Sequence, residues 1–161
     1  MGVLLSGKEL IDIAVGIERN GAAFYDSLVE STRDLTAKSA YQSLADQERE
    51  HMGIFQGMLG LADEYSFSET YTEEYDVYLK ALVDSSVFTD DQVAREMAQK
   101  VSSDAEAIQI GIIAEKESIL FYSEMRDLVR RPDREVLTGI MREERSHLRQ
   151  LSELKKSVTE R

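Results

Sequence analysis

Both histidines of this 161-residue chain stand three positions after a glutamate, as Glu48-x-x-His51 and Glu144-x-x-His147. At that spacing two side chains project from one helix face, so each pair presents a carboxylate and an imidazole to a common point. A further glutamate precedes each pair by 30 or 29 residues, Glu18 before the first and Glu115 before the second. Four carboxylates and two imidazoles in two repeats of Glu…Glu-x-x-His make up the ligand set of a carboxylate-bridged dimetal site inside a helical bundle. On composition alone, both histidines would follow a glutamate at this spacing about 1% of the time.

The surroundings strengthen the reading. Each glutamate falls in the middle of an apolar helical stripe, and no matching set of lysines or arginines shares those faces. A carboxylate so placed is costly unless a partner charge or a metal compensates its desolvation. Two divalent cations would keep all four ionised; without them, repulsion and burial would raise the pKa values and leave the acids protonated. The expected arrangement has Glu18 and Glu115 as terminal ligands, Glu48 and Glu144 as bridges, and His51 and His147 as one imidazole per metal. Open coordination positions remain, and mixed carboxylate and imidazole ligation suits iron or manganese.

Four long helices must carry these residues. The first starts near Ser6, with Glu9 placed for a capping box, and repeats Ile11, Ala14, Val15, Glu18, Ala22 and Tyr25 at three- and four-residue steps. After a turn at Thr32-Arg33-Asp34, the second carries Tyr41, Leu44, Glu48, His51 and Phe55 on one face, with Gly60 as its expected stop. The third opens near Ser103, again with a capping glutamate, Glu106, and faces inward with Ile108, Ile112, Glu115, Ser118, Tyr122 and Met125. Pro132 suits the first turn of the fourth, whose inward face is Leu137, Ile140, Met141, Glu144, His147, Leu151 and Leu154.

Two hairpins, 6–60 and 103–158, are therefore expected in a single domain over 1–161, joined by a weakly helical connector, 61–102. A connector of that length fits an all-α four-helix bundle whose second and third helices run parallel, with one long crossover. The hairpins align: Glu18 with Glu115 and Phe24-Tyr25 with Phe121-Tyr122 at an offset of 97, Glu48 and His51 with Glu144 and His147 at 96. Tyr25 and Tyr122, each seven residues after a stripe glutamate, are either core tyrosines with locally satisfied hydroxyls or groups that hydrogen-bond a ligating carboxylate or relay electrons. Met52, Met58, Met125 and Met141 read as packing residues.

Composition narrows the partners. A formal charge of −12 argues against nucleic acid or an anionic lipid surface, both of which reward a basic footprint. The absence of cysteine excludes disulfides, thiolate zinc sites, iron–sulfur clusters and a sulfur-ligated iron centre within these residues. No secretory signal or membrane span is visible, so a cytoplasmic protein is expected. Gly2 with Ser6 matches a myristoylation pattern too short to outweigh chance.

Glu18 with Phe24-Tyr25, then LADQEREHMGIF, then Glu115 with Phe121-Tyr122, then MREERSHLRQL, resembles the rubrerythrin family of ferritin-like diiron proteins. The resemblance spans the four long helices and leaves out 61–102. It implies a two-iron centre, reaction with hydrogen peroxide or dioxygen, a role in oxidative-stress defence, and frequent homodimerisation. By position it makes Glu18, Glu48, His51, Glu115, Glu144 and His147 the iron ligands. Two departures follow. Full-length members carry a C-terminal rubredoxin-like domain, whereas this chain stops at Arg161, so an external electron donor protein is expected. Peroxide-reducing members also carry an extra glutamate three residues after the third-helix glutamate; here Ser118 stands there, with Gly21 as its repeat mate. Space near the metals is expected in its place. Iron handling of the ferroxidase type, or a non-catalytic interaction or sensor module keeping a vestigial site, are the competing readings.

Overall fold

In a computed structural model of the chain, residues 4–60 and 71–160 are described. Among them are six helices and no strand: α1 (Gly7–Ser31), α2 (Leu35–Met58), α3 (Glu73–Asp84), α4 (Asp91–Lys100), α5 (Asp104–Leu128) and α6 (Arg131–Thr159). The helix entries follow from local chemistry. Ser6 and Glu9 form the expected reciprocal box at the start of α1, and Asp34 Oδ1 accepts from Ala37 N–H at 2.9 Å to open α2. At α5, Ser103 accepts from Glu106 N–H, but the Glu106 carboxylate turns to Ser102, whose backbone N–H and hydroxyl it accepts at 2.7 Å. The box expected there is thus split over two residues. α2 ends at Met58, close to the stop expected at Gly60, through a tighter turn in which Leu59 N–H reaches Gln56 O, and no described glycine has a positive φ.

Two ties fix the direction of the helices. At one end, the carboxylate of Asp104, at the start of α5, accepts from Tyr41 near the start of α2 at 2.9 Å and from Thr32 in the α1–α2 turn at 3.1 Å. Since α2 and α5 begin at the same end, they run parallel, and the connection between them must return along the 24 residues of α2, about 36 Å. The two short helices make that return. α4 packs along α1, and Phe88 sets its ring 4.7 Å from that of Phe24. At the other end, buried Asp76 in α3 accepts from Leu5 N–H at 2.8 Å and from the Tyr71 hydroxyl at 2.6 Å, and pairs with Lys80 at 2.6 Å. The part of the crossover expected at 61–70, and Gly2 of the myristoylation pattern, lie outside the described residues.

The apolar core is divided in two. One cluster gathers Leu10, Ile11, Phe55, Tyr122, Met125, Leu137 and Met141; the other gathers Phe24, Leu28, Tyr41, Leu44, Ile108, Leu151 and Leu154. On each of α1, α2, α5 and α6 the break between clusters falls at the glutamates and histidines singled out above. Met58, Met125 and Met141 are buried in packing contacts, and Met52 lies against the first cluster.

Asp76 is the acceptor that secures the crossover to the start of α1. Asp76→Ala would leave Leu5 N–H and the Tyr71 hydroxyl without it, and is expected to lower unfolding free energy by about 1–3 kcal/mol, read from the shift of a urea midpoint at constant slope.

Candidate metal centre

Glu18, Glu48, His51, Glu115, Glu144 and His147 converge between the two apolar clusters, each at most 4% exposed. The helical stripes dictate this, because each of the four long helices turns its residues inward at the same height. Ligand-capable atoms fall into two groups, Glu18, Glu48, His51 and Glu144, and Glu48, Glu115, Glu144 and His147, with the atoms of each group within 4.8 Å of one another. Glu48 and Glu144 belong to both groups.

The unmet hydrogen-bonding capacity is concentrated here. Glu18 Oε2, Glu48 Oε1, both oxygens of Glu144, and Nδ1 of His51 and His147 are buried and make no hydrogen bond. They are nonetheless close: His51 Nδ1 lies 2.7 Å from Glu144 Oε1 and 3.4 Å from Glu18 Oε2, and His147 Nδ1 lies 3.1 Å from Glu48 Oε1. All of them belong to residues of the two groups whose ligand-capable atoms lie within 4.8 Å of one another. Buried polar groups are almost always satisfied, and a set of acceptors aimed at the same space calls for cations.

The remaining atoms are held from outside. The Tyr25 hydroxyl donates to Glu115 Oε1 at 2.6 Å, and the Tyr122 hydroxyl donates to Glu18 Oε1. Each tyrosine thus hydrogen-bonds the glutamate of the other hairpin. Burial, followed by the neighbouring carboxylate, raises both phenols well above their ordinary value and keeps them as donors. A β-carbon at Gly111 would come within 3.2 Å of the Tyr25 oxygen, so glycine there keeps the hydroxyl in place.

Two further residues were not picked out from the sequence. His51 Nε2 donates to Glu143 Oε2 at 2.7 Å, and His147 Nε2 donates to Gln47 Oε1 at 3.1 Å. Those bonds place the proton on Nε2 and turn the Nδ1 lone pair inward, the tautomer that a metal-binding imidazole requires. The available signal was the repeat: Gln47 and Glu143 each precede a motif glutamate by one residue and correspond at an offset of 96.

Without a metal, protons take the place of the missing charge. Burial, with Glu144 and Glu18 next, raises Glu48 well above the carboxylate range, and burial with Glu144 pushes Glu115 up to about 8. Burial opposes the charged form of the histidines, but Glu144 and Glu18 push His51 up to about 11, and Glu115 and Glu144 push His147 up to about 10. Glu144 is held low against burial and Glu18, chiefly by the two histidines.

A buried layer of four glutamates and two histidines, at the centre of a one-crossover helical bundle, defines the ferritin-like class of carboxylate proteins. The rubrerythrin family profile matches residues 9–155, and the chain belongs to the rubrerythrin family. A solved structure of a candidate ferritin-like diiron-carboxylate protein from Thermotoga maritima is 26% identical, with a TM-score of 0.69 over 97% of this chain and 98% of that one. No curated protein matches the sequence.

The metal-free fold binds more protons than the unfolded chain, so its stability falls as pH rises. The histidine contribution is full below 6.5 and fades towards about 10 and 11, while the Glu115 penalty grows between 4.5 and about 8. Thermal melts of metal-free protein should decline across that window, whereas affinity for ferrous or manganous ion, measured by calorimetry, should rise with pH as protons are displaced. Glu143→Gln would give His51 the weaker acceptor already used by His147. It is expected to lower affinity at one of the two positions by about 10–100-fold, resolved as one weakened phase in a calorimetric titration.

Proposed function

We propose that the protein is a non-haem diiron oxidoreductase that reacts with hydrogen peroxide or dioxygen and is re-reduced by an external electron donor protein. The observation that carries this is the pair of four-residue groups sharing Glu48 and Glu144, with six buried oxygen and nitrogen atoms left without hydrogen bonds. In this reading Glu18, Glu48, His51, Glu115, Glu144 and His147 hold two iron ions, and manganese fits the same donor set. Iron there supplies redox electrons and Lewis acidity.

The protein's own groups do the rest. Glu48 and Glu144 lie within reach of both positions, and carboxylates can shift between bridging and terminal roles at little cost. Tyr25 and Tyr122 hold one oxygen each of Glu115 and Glu18, and their raised pKa values keep those protons in place. The two apolar clusters exclude water above and below the layer. Gly21 and Ser118 line a cavity of 360 Å³ that reaches Glu48 and Glu115, so an oxidant has a way in. With no cysteine in the sequence, these residues hold no thiolate-ligated centre to deliver electrons, so reduction has to come from outside them. Membership of the family favours a cytoplasmic homodimer, and no described helix is long and apolar enough to cross a membrane.

Protein loaded anaerobically with ferrous iron and mixed with peroxide in a stopped-flow instrument should develop near-ultraviolet absorbance. Glu48→Gln removes a carboxylate common to both groups and should slow that phase by more than the roughly 10–100-fold that loss of an outer hydrogen-bonding partner costs. An unchanged rate in the variant, or no absorbance change, overturns the proposal. Faster reaction with dioxygen than with peroxide, with iron accumulating beyond two per chain, assigns the protein to iron handling instead.

A further inference from the structure

The cavity beside the metal centre is far larger than either proposed oxidant needs. Its volume of 360 Å³ compares with about 10–15 Å³ for housing one water, and lies within the roughly 300–1,000 Å³ of pockets that take small organic molecules. Ile13 and Ile17 of α1, Leu82 and Val83 of α3, and Leu120 and Phe121 of α5 supply apolar walls, and Glu48, Glu115 and Tyr25 lie along the same lining. The opening exists because two positions are small. A β-carbon at Gly21 would come within 3.1 Å of Glu48 Oε2, and Ser118 turns its hydroxyl back to Ala114 O at 3.0 Å.

Several polar groups of the lining are already engaged. Asn20 donates to Phe88 O, and the Ser86 hydroxyl to Val83 O. Both Glu117 oxygens accept from Val87 N–H, at 3.0 and 3.2 Å. Among the described residues no lysine, arginine or histidine lines the cavity, so none of them there would neutralise an anion, and Glu48 and Glu115 belong to the proposed metal centre. What remains to be covered is apolar surface.

We propose that this cavity binds a neutral, mainly apolar organic molecule, a hydrocarbon chain or ring without an ionised group, beside the metal centre. Its place beside that centre rests on the reading of the function given above; its binding rests on the cavity alone.

The test uses the iron-loaded protein and the neutral fluorophore N-phenyl-1-naphthylamine. One saturable site per chain is expected, with displacement by 1-octanol at least tenfold stronger than by octanoate or octylammonium. Gly16 also lines the cavity, and a β-carbon there meets nothing within 4 Å. Gly16→Phe should therefore fill the space, weaken binding at least tenfold, and leave iron content and melting temperature intact. Leu120→Glu, at a 44% exposed wall position, is the second variant and should weaken binding likewise by placing a charge in the cavity. No saturable site, equal displacement by octanoate, or undiminished binding in both variants overturns the proposal. Binding that persists in a protein unreactive towards peroxide sinks the function and spares the cavity; the reverse sinks the cavity alone.

Discussion

Four carboxylates confined to one buried layer set the terms for the rest of this protein. At close range and low effective dielectric their mutual repulsion is large. The protein meets this with counter-charge rather than distance. Two imidazoles lie among the acids, two phenols donate from the flanks, and the inward lone pairs leave room for cations. The apolar clusters on either side then become a requirement as well as a source of stability, because they hold the four helices in a register that keeps the layer flat.

That register depends on the ends of the bundle. Asp104 gathers the start of α5, the start of α2 and the α1–α2 turn, while Asp76 gathers α3 and the approach to α1. Each is a carboxylate whose partners come from distant parts of the sequence. The crossover between them is accordingly more than a tether. It closes one wall of the cavity and packs α4 along α1, so the shape of the space beside the metal centre depends on a segment that contributes none of its metal-binding groups.

The long helices and the inward residues were legible because period and chemistry agree there. A stripe of apolar residues interrupted by a single glutamate, at matching places in four helices, has few physical explanations. Short-range signals also read well at Ser6 and Asp34, where the cap and its partner are three residues apart. What escaped was non-local. Nothing in the local pattern tells that Glu143 would meet His51 or Gln47 would meet His147, since those bonds exist only once the hairpins are packed. Asp76 looked like one more acid in a weakly helical connector, and its burial depends on Leu5 and Tyr71, neither of which points to it in sequence. Near Gly60 the end of α2 was legible but its form was not: glycine permits a left-handed end without requiring one, and α2 tightens instead.

The reciprocal reach of Tyr25, Tyr122, His51 and His147 has a consequence for symmetry. Each group of four ligand-capable residues takes three from one hairpin and one from the other, and every outer hydrogen bond crosses between hairpins. Neither hairpin is therefore half of a site in its own right. The chain is a pseudo-dimer whose two halves are covalently joined, and the repeat exchanges Glu48 with Glu144, the two residues that both groups share. Drift in one half changes the environment of both positions, which ties the two copies of the hairpin to a common course of change. Gln47 opposite Glu143 marks a place where that twofold equivalence has already been given up.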